Sequence, residues 1–288
     1  MSTLASSTAA SAAIAGAAAA APVADDVASA PPARKRGFGL ATGLIVPVVG
    51  GLIWELAARD GWINARLVPP PSAIAVSLYD LAITGELFQH IGTTLYRVAV
   101  GFGLGVGAGT LLGALTGYST KARDLLDPTL QALRNIPSIA WVPLFILWFG
   151  IFEVSKVLLI AVGVFFPVYL GLALGIHNVD RKLVEVGRIY RFSSAEMIRR
   201  ILLPAALPAF ITGVRGGLGL GWMFVAAAEM MGASEGLGFL LIDGQQTSRP
   251  ATIMGAILMF ALIGKTTDLI LAKAAARALR WQDSFKAA

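Results

Sequence analysis

The segment NVDRKLVEVGRIYRFSSAEMIRRILLPAALP, residues 178–208, is the longest polar interruption in a chain that otherwise reads as one apolar run after another. Its cations are Arg181, Lys182, Arg188, Arg191, Arg199 and Arg200. Lys and Arg between two membrane spans are retained on the cytoplasmic side. The segment therefore predicts a cytoplasmic loop between two spans.

The same segment carries the start and stop signals of two short helices. Asp180 can cap a helix whose apolar residues Leu183, Val186 and Tyr190 recur at i, i+3 and i+7. Ser193 and Glu196 form an S-x-x-E capping box, which predicts a second helix after a turn at residues 191–192. These two capped helices, which we call the knob, form an ordered surface that another protein could bind.

The composition is typical of an integral membrane protein. Of its 288 residues 56% are hydrophobic and 14% charged, whereas soluble domains average about 25% charged residues. A span needs about 20 apolar residues. The predicted spans are residues 39–58, 96–118, 130–149, 157–176, 210–231 and 251–272. The fold class is therefore an all-α polytopic membrane protein of about six transmembrane helices.

The charges outside the spans give the domain order and the orientation. We expect a disordered cytoplasmic tail at residues 1–37 and a C-terminal tail at residues 282–288. Between them, residues 38–281 are expected to form a transmembrane domain that contains the loop 178–208. Residues 34–36 and the basic C-terminal residues predict that both termini are cytoplasmic. A surface helix is expected at residues 74–83, after a stiff extended connection at 68–72.

Glycines repeat every four residues along the second predicted span. They are Gly101, Gly105, Gly109, Gly113 and Gly117. This spacing puts them on one helical face, where small residues let another helix approach closely. We expect this face to be a helix-packing surface.

Charges and prolines within spans give candidate pathway residues. Arg134, Pro137, Arg215 and Glu229 are the candidates, because intramembrane charges are costly and a broken helix is tolerated where it lines a cavity. Pro143 interrupts the same third span. Lys265 and Asp268 are three residues apart and can pair on one helical face.

The loop 178–208 resembles the cytoplasmic coupling loop of permease subunits in bacterial ABC importers, and is called the coupling loop below. The signature of that loop is Glu-Ala-Ala, three residues, Gly, nine residues, Ile-x-Leu-Pro. The matching positions are Glu185, Val186, Gly187, Arg191, Ile201, Leu203 and Pro204, with Arg191 at the glycine position. The resemblance extends over residues 44–281, to the nitrate, sulfonate and taurine branch.

This resemblance implies a type I importer permease in the inner membrane that translocates a small oxyanion. We expect an aliphatic sulfonate, with nitrate, taurine or a pyrimidine vitamin precursor as alternatives. The implied partners are a cytoplasmic ABC ATPase subunit that binds the ATP, a second permease copy forming a homodimer, a periplasmic or external solute-binding protein, and membrane lipid. No cofactor is expected on this chain.

Other function classes find little support in the sequence. A membrane enzyme acting on a lipid-phase substrate is the main alternative, and a non-transporting scaffold is another. The motif G-x-S-x-G at residues 232–236 lacks a histidine after His177, so a serine hydrolase is disfavoured. With no cysteine and two histidines, a metal centre is not expected. The net charge of +6 is explained by basic loops rather than by nucleic-acid binding.

Overall fold

A computed structural model describes residues 40–137 and 140–281. This part of the chain is helical and contains no strand, as predicted. The predicted tails at residues 1–37 and 282–288 lie outside the described residues. The helices are α1 (Leu40–Arg59), α2 (Pro71–Ile83), α3 (Glu86–Tyr118), α4 (Thr120–Arg134), α5 (Trp141–Phe149), α6 (Glu153–His177), α7 (Arg181–Ile189), α8 (Ser194–Met197), α9 (Leu203–Met230), α10 (Leu237–Gln246) and α11 (Pro250–Ala278).

Four helices in the described part are long and apolar enough to cross a membrane. They are α3, α6, the continuous helix Ser194–Met230 that contains α8 and α9, and α11. They correspond to the second, fourth, fifth and sixth predicted spans, and the 20-residue α1 follows the first. The four long helices extend beyond the predicted spans, whereas α1 has the predicted length. Helix α6 begins at Glu153, four residues before the predicted start at residue 157.

The third predicted span, residues 130–149, is broken at Pro137 as predicted but not at Pro143, and residues 130–134 form the end of a separate helix. Helix α4 ends at Arg134 and the nine-residue α5 begins only at Trp141. Pro137 lacks an amide hydrogen and restricts the residue before it, which accounts for the break. Helix α4 is amphipathic and lies beside α6, where the Tyr169 hydroxyl donates to Asp127 at 2.8 Å. Pro143 lies in the first turn of α5, where proline is tolerated.

Helix α6 is the centre of the bundle, and the glycine face of α3 packs against it. A Cβ atom built on Gly105 would lie 2.6 Å from the Ala161 carbonyl oxygen, and one on Gly109 2.9 Å from that of Phe165. Gly101, Gly113 and Gly117 meet α6 as closely, at Ile160, Tyr169 and Ile176. The opposite face of α3 is open, because a Cβ on Gly103 or Gly107 would meet nothing within 4 Å.

A second glycine face joins α6 to α9. Gly213 approaches so closely that its Cβ would lie 2.5 Å from the Pro167 carbonyl oxygen, and Gly171 faces it from α6. Gly217 and Gly221 continue this face toward Val164. The backbones of α3, α6 and α9 therefore pack closely at the core of the bundle.

The remaining long helix, α11, runs antiparallel to α9. Trp222 of α9 contacts Phe260 and donates to Thr267 at 2.9 Å. Helix α2 then packs on α11, with Ile74 buried and Leu78 against Gly255. The predicted surface helix therefore starts earlier, at Pro71, and one of its faces is covered. Pro71 and Ser72 belong to it rather than to an extended connection.

The bundle has two ends. The coupling end holds the C-termini of α3, α6 and α11 together with the coupling loop. The far end holds the N-termini of α3 and α6, the C-terminus of α9 and the segment 231–236 before α10.

Candidate coupling and pathway sites

Local hydrogen bonds order the coupling loop. The Asp180 carboxylate accepts the Lys182 amide at 2.9 Å and starts α7. The Ser193 hydroxyl accepts the Glu196 amide at 3.3 Å, while Glu196 accepts the Ser193 amide at 3.0 Å. Both predicted caps are present, so the two short helices begin where the sequence indicates.

Arg191 makes the turn between these helices with a left-handed backbone, φ 52°. The Phe192 amide donates to the Gly187 carbonyl at 3.0 Å and the Arg191 amide to that of Arg188 at 2.9 Å. This is a Schellman motif, in which the residue with positive φ is usually glycine. It explains why the signature has glycine here, and arginine accepts the same conformation at a cost of about 1–2 kcal/mol.

Gly187 is the point where α7 crosses the second half of the loop. A Cβ on Gly187 would lie 2.7 Å from the Ile201 Cδ1 and Met197 Cε atoms. This signature position therefore suits a small residue, because a larger one would displace the flexible ends of these two side chains. Glu185 and Val186, on the preceding positions, are exposed.

Helix α8 continues into α9 through a π-helical turn, Ile198–Leu202. In this turn the Leu203 amide donates to Ile198, five residues back. Pro204 follows directly; it has no amide hydrogen and its ring clashes with the carbonyl four residues earlier, which favours a wider turn. The signature residues Ile201, Leu203 and Pro204 thus form the junction between the knob and a membrane span.

The outer face of α7 is apolar and uncovered. Ile189 is 78% exposed and Tyr190 72%, and Leu183 and Val186 are also exposed. The cations of α7 and Arg191 directly after it are exposed beside them. An ordered apolar surface with a basic rim has the chemistry of a protein docking surface.

Arg215 lies on α9 and pairs with Asp268 of α11. Its Nη2 atom donates to Asp268 Oδ1 at 2.9 Å and Oδ2 at 3.1 Å. The Arg215 side chain is 44% exposed. The predicted pairing of Asp268 with Lys265 is wrong, because Asp268 faces α9 instead and Lys265 is exposed.

Arg134 and Pro137 lie at the break between α4 and α5, and both are exposed. Arg134 is the last residue of α4. The structure therefore leaves both candidates exposed at this break.

Glu229 is enclosed in a polar network at the far end. Its side chain is 0% exposed and accepts from Arg97 at 2.8 Å, from the Gly238 amide at 2.8 Å and from the Thr94 hydroxyl at 2.9 Å. A carboxylate with these partners is held between helices and reaches no solvent. Its surroundings differ from those expected of a residue lining a water-filled path.

Arg97 is the centre of this network. Its guanidinium forms a fork with Glu153 of α6, with two contacts of 2.7 Å, and also donates to the Glu235 carbonyl at 2.7 Å. Arg97 is 2% exposed, whereas the Glu153 side chain is 52% exposed. We call Arg97, Glu153, Glu229 and Thr94 the Arg97 network.

The sequence interpretation did not single out Arg97 or Glu153. Arg97 lies one residue inside the second predicted span, and Glu153 lies four residues before the fourth. An intramembrane arginine with acids at the same end of two other spans is a signal that could have been used. The network joins α3, α6, α9 and the segment before α10.

Comparison with known proteins identifies relatives over most of the chain. SsuC of Bacillus subtilis (strain 168), named for aliphatic sulfonates transport, is 42% identical over 88% of this chain and 92% of its own length. SsuC of Escherichia coli (strain K12) is 37% identical over 83% and 91%. The taurine transport system permease protein TauC of Escherichia coli is 31% identical over 80% and 85%. These names do not support the membrane-enzyme alternative.

A solved structure shares the fold. In the inward-facing MetNI methionine ABC transporter, one chain matches with a TM-score of 0.52 and 20% identity, covering 67% of this chain and 98% of that chain. A family model described as binding-protein-dependent transport system inner membrane component matches residues 105–278. With this match over more than half of its length, the chain belongs to the family of binding-protein-dependent transport system inner membrane components, as a multi-pass permease of ABC importers.

Proposed function

We propose that this chain is the permease subunit of an importer for an aliphatic sulfonate, with the coupling loop receiving force from a separate ATPase. The observation that carries the proposal is the knob itself. It is capped at both helices, exposes an apolar face, and continues through one π turn into a membrane-spanning helix. The SsuC relatives support a sulfonate over the taurine and nitrate alternatives.

The family supports an ATPase subunit and a solute-binding protein as partners. The ATPase subunit docks on the exposed face of α7 and binds the ATP, and the coupling end and both termini face the cytoplasm. A second permease copy completes the path, and a solute-binding protein delivers the sulfonate at the far end. Closure of the ATPase pair then pushes the two coupling loops and tilts the spans.

Arg215 is our candidate for contact with the anion. Arg134 and Pro137, at the break between α4 and α5, are further candidates. Guanidinium offers paired donors to oxyanions. In the described structure, Asp268 holds the Nε and Nη2 atoms of Arg215, while Nη1 takes part in no described hydrogen bond. We leave Glu229 out of the path because Arg97 and Thr94 enclose it.

The test is reconstitution of the chain in liposomes with its ATPase and solute-binding protein. We expect an aliphatic sulfonate to stimulate ATP hydrolysis and to be taken up, with taurine and nitrate as competitors. Stimulation by nitrate alone would overturn the substrate assignment, and stimulation by taurine alone would restrict it to an amino-substituted sulfonate. An absence of ATPase association would overturn the importer function.

Variants test the pathway residues separately. Arg215→Ala combined with Arg134→Ala should reduce uptake at subsaturating sulfonate, because both candidate cations are lost. The control is Lys265→Ala, which removes an exposed cation three residues before Asp268, the partner of Arg215. Unchanged uptake affinity and rate in the double variant would show that neither arginine lines the path.

A further inference from the structure

A largely apolar groove of about 420 Å³ opens on the side of the bundle near the coupling end. It lies between α3, α6, α9 and the residues after α11. Its lining includes Thr110, Leu172, Leu207 and Phe210, with Arg199 and Trp281 also present. None of these residues belongs to the Arg97 network or to the Arg215 pair.

The groove extends from the end of the bundle into its apolar part. Arg199 belongs to the π turn, and Trp281 follows the end of α11. Thr110 precedes the end of α3 at Tyr118 by eight residues, which is about 12 Å along a helix. An occupant that fills the groove must therefore be apolar over a length close to that of half an acyl chain and polar at one end.

Arg199 gives the polar end of the groove a positive charge. Arg199 is exposed and forms no ion pair or hydrogen bond with the described residues. Its neighbour Arg200 is engaged, with Glu196 at 3.6 Å and the Phe192 ring at 5.3 Å. A single uncommitted cation at the mouth of an apolar groove complements an amphiphile with a negative head.

We propose that this groove binds one anionic phospholipid, with its phosphate at Arg199 and an acyl chain along Leu172, Leu207 and Phe210. Basic pockets between membrane helices on the cytoplasmic side bind anionic head groups. Trp281 is the type of residue found at the level of the head groups. The lipid contacts Leu203 and Pro204 as well, so it occupies the junction of the coupling loop and α9.

Native mass spectrometry of the full-length chain, purified in mild detergent with the subunits that accompany it, tests the proposal. The probes are phosphatidylglycerol and phosphatidylcholine with the same acyl chains. Wild type should retain phosphatidylglycerol in about fivefold preference, the factor expected for one cation at the membrane surface. Arg199→Gln should abolish the preference, Arg199→Lys should keep it, and Arg200→Gln is the matched control.

The groove itself is tested by Leu207→Trp, which fills it and should lower retention of both lipids. A photo-crosslinker at residue 207 in native membranes should capture lipid. Capture of a second permease copy or of the ATPase instead, or an unchanged preference in Arg199→Gln, would overturn the proposal. Lipid retention is measured without transport or ATP hydrolysis, so its failure is distinct from failure of the proposed function.

Discussion

The far end of the bundle and the coupling loop are held by different kinds of contact. At the far end, the bonds of Arg97 and Thr94 to Glu229 join residues 132 and 135 positions apart in the chain. At the coupling end, the caps of α7 and α8 join residues two and three positions apart. The far end is thus fixed by contacts between helices, whereas the coupling loop is ordered by its own residues and can move as a unit.

The largest effect is expected from breaking the far end. Arg97→Met leaves the buried Glu229 carboxylate without its cation, and removing one partner of a buried ion pair costs about 3–5 kcal/mol. The midpoint of thermal unfolding of the purified chain should fall sharply, measured by tryptophan fluorescence.

A second substitution separates charge from packing at the far end. Glu229→Gln in the Arg97→Met background removes the unpaired charge, while the amide oxygen still accepts from Thr94 and Gly238. We expect the midpoint to recover in part. An Arg97→Met midpoint equal to that of wild type would show that the far end is not held by this network.

A smaller effect is expected in the interface between α3 and α6, which runs from one end of the bundle to the other. Gly105→Ala places a Cβ 2.6 Å from the Ala161 carbonyl oxygen, and overpacking of this kind costs about 1–3 kcal/mol. Thermal unfolding of the same purified chain measures it. Gly107→Ala, on the open face of α3, is the control and should be neutral or stabilising. Equal effects of the two substitutions would contradict the assigned packing face.

The smallest effect is expected at the coupling end. Ser193→Ala removes the capping box, which is worth about 1 kcal/mol. Because the bonds are local, amide hydrogen exchange at Glu196 and Met197 should rise while the unfolding midpoint of the bundle stays unchanged. Ser194→Ala, one position later and outside the capping hydrogen bonds, is the control. A lowered bundle midpoint in Ser193→Ala would show that the two ends are not held independently.

The features that the sequence predicts well are those set by neighbouring residues. Asp180, Ser193 and Glu196 act within one helical turn, so their pattern is sufficient to place both short helices. The four-residue glycine repeat predicts which face of α3 packs, although it does not say that α6 is the partner.

The features that the sequence does not predict depend on distant residues. Hydropathy starts the third span at residue 130, although residues 130–134 belong to α4, because the apolar run after Pro137 outweighs Arg134. The choice of Arg215 rather than Lys265 as the partner of Asp268 depends on how α11 lies against α9. Arg97 finds Glu153 and Glu229 only once three helices have packed together.

The helix from Ser194 to Met230 is one rod of 37 residues, about 55 Å long at about 1.5 Å per residue. Its wider turn at Ile198–Leu202 lies at the coupling-loop end of this helix. A displacement of the coupling loop that only bends this turn stops there. A displacement that also moves Pro204 is carried along the same helix to Arg215.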